Sequence, residues 1–173
     1  MLASSTIVEN IDTMRKDGLA SLAFFYHDFE EDQKRDLRGL LSSVLSQFCD
    51  QSSSYFDILS KFYSTHGYGT QTPNDDALVR CLEDILKLPG QRPVFLIVDA
   101  LDECANTSPM PSHRAKALAF LEKLIDSRVP NLRICVTSRP EPDIKVVLGP
   151  LTSRSISLQD EGDKWKTSRT ISS

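Results

Sequence analysis

Three observations predict an α/β fold, a parallel sheet with flanking helices. Short apolar runs at residues 20–26 and 94–98 have the length and composition of strands buried on both faces, and residues 132–136 read as a third strand. Amphipathic stretches of helical period separate them, the order of a sheet wound with crossover helices. Polar, chemically useful residues follow two of the runs directly, at the strand ends where open α/β sheets bind ligands.

Residues 1–16 carry Leu2, Ile7, Ile11 and Met14 close to helical spacing, and Gly18 is the expected stop. The strand at 20–26 leads into a charged loop over 28–36. Leu37, Leu40, Leu41, Val44, Leu45 and Phe48 then form one apolar helical stripe. After Ser52, Ser53 and Ser54, the same spacing returns at Tyr55, Ile58, Leu59, Phe62 and Tyr63, and these aromatics are expected in the core. Residues 64–73 form a loop in which Gly67-Tyr68-Gly69 lacks the Gly-Lys-Ser/Thr of a phosphate cradle. Thr72 ahead of Pro73 and Asp75 predicts a helix start with proline at the first helical position. Leu78, Cys81, Leu82, Ile85 and Leu86 give that helix its inward face, and Pro89-Gly90 ends it.

The strand at 94–98 runs straight into Asp99-Ala100-Leu101-Asp102-Glu103-Cys104. Beyond a loop with Asn106 and Pro111, Ser112 is placed to cap a helix whose inward face is Ala117, Leu118, Leu121, Leu124 and Ile125. Val129-Pro130 stops it. The strand at 132–136 ends in Thr137-Ser138-Arg139-Pro140, a short helix is expected over 141–148, and residues 155–158 fit a last strand. Residues 1–160 thus form one domain or part of one, and residues 161–173, with Trp165 between two lysines, are expected to be a disordered polar tail.

Composition excludes several function classes. A net charge of -4 argues against a nucleic-acid or anionic-membrane surface, and no apolar run approaches the length of a bilayer span. The four cysteines have no zinc-ligand spacing, and three lie in apolar periodic segments, so buried reduced thiols and a cytoplasmic location are expected. His27, His66 and His113 show no metal-site or triad spacing and are expected to be structural or solvated.

The acidic cluster is the strongest chemical signal. A carboxylate at a strand's carboxyl end can hold Mg²⁺, partly through water, and a second one a few positions on can orient or deprotonate a water. Asp99 is the candidate metal ligand, and Asp102 and Glu103 are the candidate catalytic acids. One strand on, Thr137, Ser138 and Arg139 are candidates for contact with a γ-phosphate or the attacking water. Arg139 fits equally an ion pair with Asp99 or Asp102.

Three segments, residues 23–29, 94–104 and 133–140, resemble the NACHT-type P-loop nucleoside triphosphatase domains of large fungal multidomain proteins, also described as nephrocystin-3-like N-terminal domains. The resemblance covers residues 2–160. It implies a three-layer P-loop fold, a Walker B role for Asp99, a water-positioning role for Glu103 or Asp102, and a strand-end sensor role for Arg139. It also implies Mg²⁺ with ATP or GTP as cofactors, and switching or assembly in signalling as the general role. The family's Walker A loop, Gly-x-x-x-x-Gly-Lys-Ser/Thr, does not occur in the sequence. Without that loop and the strand ahead of it, the fold is expected to be incomplete, with weak or no nucleotide binding, no hydrolysis, and an unpaired edge on the strand at 132–136. A truncated gene product, a splice variant or a fragment is the expectation. Two other readings remain open: an interaction module completed by a protein partner or a second copy at that edge, and a Mg²⁺-dependent hydrolase working without nucleotide.

Overall fold

The structure, a computed structural model, describes residues 2–28, 36–107 and 110–155. Helix α1 (Leu2–Lys16) leads to strand β1 (Ser21–Tyr26), then come α2 (Leu37–Cys49), α3 (Ser53–Thr65) and α4 (Asp75–Leu86). Strand β2 (Val94–Asp99), α5 (His113–Asp126), β3 (Leu132–Val136) and α6 (Pro142–Leu148) complete the order. The strands pair in parallel in the order β1-β2-β3, with Ala23 opposite Leu96 and Leu96 opposite Ile134. The α/β parallel sheet expected from the three apolar runs is therefore present. Within the described residues no helix is long and apolar enough to cross a membrane.

Strand alternation divides the apolar side chains between two faces. Ala23, Phe25, Val94, Leu96 and Val98 join the large core with α2, α4 and α5. Leu22 and Ile97 point the other way and meet Ile11 of α1 in a smaller cluster. Burial on both faces explains why β2 is apolar at every position from Val94 to Val98. Phe48 and Leu121, at most 1% exposed, lie in the large core.

The helix ends follow side-chain chemistry. Asp36 accepts from Gly39 N at 2.8 Å and Ser112 from Ala115 N at 3.1 Å, each supplying an oxygen to an otherwise unpaired helix N–H. Gly18, at φ +68°, closes α1 with the Leu19 N–H on Met14 O at 2.8 Å, a left-handed cap that favours glycine. The start of α4 differs from expectation. Asn74, not Thr72, is the cap, accepting from Ala77 N at 2.8 Å, so Pro73 lies outside the helix and its carbonyl accepts from Arg38 at 2.5 Å. Tyr63 also departs from its predicted stripe: it is 52% exposed and packs edge-on against Tyr68. Of the strand expected at 155–158, Ser155 is not in a strand, and the other positions lie outside the described residues, as does the tail at 161–173.

All four cysteines are free thiols. Burial pushes Cys81 up to about 12 and Cys104 up to about 11, and raises Cys49 and Cys135 as well. Cys81 and Cys104 are buried, whereas Cys49 and Cys135 are half-buried. An aromatic disulfide reagent at mildly alkaline pH is expected to label Cys49 and Cys135 first, and Cys81 and Cys104 only as the protein unfolds. Labelling of all four in one fast phase, followed by mass spectrometry of peptides, would contradict this core.

Candidate functional site

Parallel pairing brings the carboxyl ends of β1, β2 and β3 to one edge of the sheet, and the polar residues collect there. Tyr26 lies opposite Asp99, and the His27 N–H donates to Asp99 O at 3.0 Å. Ala100 then turns the chain through a left-handed conformation, φ 55° and ψ 45°. A non-glycine residue held there costs about 1–2 kcal/mol. The turn is held from both sides: Leu101 is fully buried beneath it, and Thr137, the residue after β3, bonds it across. Residues 101–103 form a single 3₁₀ turn that carries Asp102 and Glu103 over the strand ends.

Thr137 stitches the two strand ends together. Its hydroxyl donates to the Asp99 carboxylate and accepts from Ala100 N at 3.1 Å, and its carbonyl accepts from Leu101 N at 3.0 Å. The hydroxyl proton therefore orients Asp99 instead of facing outward as a phosphate donor would. Arg139 takes the ion-pair option. Its Nε lies 3.5 Å from Asp102 Oδ2, and its backbone N–H donates to Asp102 Oδ1 at 2.9 Å. The Arg139 side chain remains 81% exposed, whereas that of Asp102 is 10% exposed. Ser138 is exposed, and its hydroxyl donates to Arg139 O at 2.9 Å, outside the cluster.

Glu103 is held above the ordinary carboxylate range by partial burial first, then by the negative charges of Asp102, Asp28 and Asp99, with Arg139 opposing. Asp28 is thus a fourth acid at this edge. It follows β1, which pairs with the strand ending in Asp99; a sequence reading that places it in a charged loop misses this. Arg114 is the second residue missed. It is 8% exposed, and its Nε donates to Cys104 O at 3.0 Å. An open cavity of about 330 Å³ is lined by Asp102, Glu103, Cys104, Arg114, Arg139 and Glu141. A larger open cleft of about 560 Å³ runs along Leu37, Arg38, Asp75, Val79 and Phe120, away from the strand ends, with Arg38 bonded across to Asp75 and Pro73.

Among the described residues no group of three or more His, Cys, Asp or Glu side chains is close enough to hold a metal ion. Asp99 nevertheless fits the way Mg²⁺ is commonly held, by one or two carboxylates with water and substrate phosphates filling the shell. A glycine-rich loop followed by Lys-Ser/Thr, the usual cradle for phosphates, does not occur in the sequence.

Comparison with curated proteins and with solved structures gives no match. The profile of the family described as Nephrocystin 3, N-terminal matches residues 1–139, four-fifths of the chain and all of the acidic strand end. This chain belongs to the nephrocystin 3 N-terminal family.

Proposed function

We propose that this chain carries the metal-facing, acidic half of a NACHT-type nucleoside triphosphate site, and that by itself it binds Mg²⁺–ATP or Mg²⁺–GTP weakly or not at all and hydrolyses neither. The observation that carries the reading is the placing of Asp99, the last residue of β2, with Asp102 and Glu103 on the turn that follows it, between the parallel neighbours β1 and β3, with Thr137 fixing Asp99. In this reading Asp99 faces the cation, and Glu103, whose carboxyl holds its proton more tightly than usual, lies where a water would be oriented. Positioning and electrostatic stabilisation of the phosphates make up nearly all of phosphoryl-transfer catalysis. A chain without the phosphate loop is therefore expected to be catalytically silent.

Calorimetry with Mg²⁺–ATP and Mg²⁺–GTP is expected to show no heat above dilution, while Mn²⁺ selectively broadens NMR signals of Asp28 and residues 99–103. Micromolar nucleotide binding that is lost in Asp99→Ala would overturn the silent part of the proposal. Broadening spread evenly over surface acids would overturn the cation-facing part.

A second reading, an interaction module that completes its sheet with a partner strand, is favoured by the β3 edge. Val94 N bonds Asn131 O and Thr137 N bonds Val98 O, so odd-numbered positions of β3 face β2, and the N–H and C=O groups of Ile134 and Val136 point away from it. Light scattering tests self-pairing: mass that rises with concentration and falls to the monomer in Val136→Lys supports it, and a monomer throughout rules out a second copy as the partner strand.

A further inference from the structure

We propose that Arg114 is the positioning residue of the acidic turn, setting where Asp102 and Glu103 stand over the strand ends and tying that turn to the start of α6. The inference rests on reading the strand-end acids as a cation-facing cluster. It concerns a residue on a different element, α5, that contributes no group to the cluster itself.

The geometry is that of a clamp. The Arg114 guanidinium directs Nε to Cys104 O at 3.0 Å and Nη2 to Asp102 O, two carbonyls at the end of the 3₁₀ turn. Nη1 reaches both carboxylate oxygens of Asp143 at 3.4 Å and lies 3.8 Å from Glu141 Oε2. The backbone N–H of Arg114 donates to Ala105 O at 3.0 Å, docking the first turn of α5 on the same segment. Asp143 is itself placed by Asn106 Nδ2 at 3.1 Å, and the fully buried Ser112 hydroxyl donates to Asn106 Oδ1 at 2.8 Å. Asp102 is consequently gripped at both ends, its carbonyl by Arg114 and its carboxylate by the Arg139 N–H.

A planar guanidinium holds two carbonyls and a carboxylate from three separate nitrogens at fixed angles; an ammonium donates from a single nitrogen and cannot reproduce that spread. Lysine at this position would keep the charge but lose the geometry. A role through charge alone and a role through position therefore predict different results for the same substitution.

The experiment is a set of backbone residual dipolar couplings for residues 101–105 in the full chain and in Arg114→Lys, with thermal melts alongside. Positioning predicts that the couplings of residues 102–104 no longer fit the orientation of the unaltered turn, in a variant that still melts cooperatively and whose sheet couplings are unchanged. A lower melting temperature with unmoved couplings in the turn would reduce Arg114 to a structural residue and overturn the proposal. Should Arg114→Lys fail to fold, Asp143→Asn loosens the clamp from its half-exposed end, and the same couplings must change in the folded protein or the proposal fails. Mn²⁺ affinity supplies a separate arm. If the cation-facing reading holds, Arg114→Lys weakens Mn²⁺ by about tenfold, as loss of a group that orients metal ligands does. If the unaltered chain binds no Mn²⁺, that reading fails, and the dipolar couplings still decide for or against Arg114.

Discussion

Phe48→Ala is expected to remove about 3–5 kcal/mol of folding stability and to lower the melting midpoint by roughly 10 °C. Phe48 is 1% exposed near the end of α2, where its ring meets Tyr55 of α3 edge-on at 5.8 Å. Tyr55 in turn shares a hydrogen bond of 3.3 Å with Ser21 at the start of β1. Phe48 therefore joins two helices to the first strand, and truncation leaves a void bounded by elements that other contacts hold in place. Domains are commonly stable by only about 5–15 kcal/mol, so the variant should sit near the edge of folding. Chemical denaturation with matched slopes measures the loss. A cost below about 1 kcal/mol would mean that α3 collapses onto the space, and that Tyr55 is not fixed by its partner on β1.

The stripe that holds Phe48 was legible because burial on one helical face leaves a periodic record. All six of its apolar positions are buried. The three strands were legible for a related reason: β1 and β2 have core on both sides, so their sequences lose the polar alternation of a half-exposed strand. Capping was readable where one candidate stood alone, as at Ser112. It was misread at Thr72, because Asn74 offers the same chemistry two residues later. The candidate site was legible as composition, an acid-rich strand end, but not as geometry. Nothing local says that the Thr137 hydroxyl turns to Asp99, since that bond joins residues 38 positions apart. Arg114 was in plain view. It falls in phase with Ala117, Leu118 and Leu121, so it must face inward, and an inward arginine needs acceptors. Which acceptors it finds depends on the fold of residues 101–105, and so only the structure names them.

The double substitution Gln47→Ala and Gln51→Ala is expected to cost about 2–4 kcal/mol and to make the protein associate. Ser21 N and His27 N bond to the β2 side, so Leu22 and Phe24 of β1 turn their backbone groups outward, where an edge strand is exposed. Gln51 Oε1 accepts from Leu22 N at 2.9 Å and its Nε2 donates to Leu22 O at 2.5 Å. Gln47 does the same for Phe24, at 3.1 Å and 2.7 Å. The match is geometric: side chains one helical turn apart stand about 5–6 Å from each other, and outward backbone pairs recur along a strand at about 6.6 Å. Two amides, Gln47 on α2 and Gln51 two residues past its end, thus stand in for a neighbouring strand, and they close one edge of the sheet with the protein's own groups. Nothing in the spacing of the apolar residues announces this, because glutamines ordinarily face solvent. With both removed, water can satisfy the four hydrogen-bonding groups only in part, beneath α2, and the flat edge becomes available to a second chain. Denaturation measures the loss of stability, and light scattering over a concentration series measures the association. A double variant that stays monomeric at unchanged stability would show that solvent replaces the amides at no cost, and that the β1 edge is protected by the bulk of α2 instead of its hydrogen bonds.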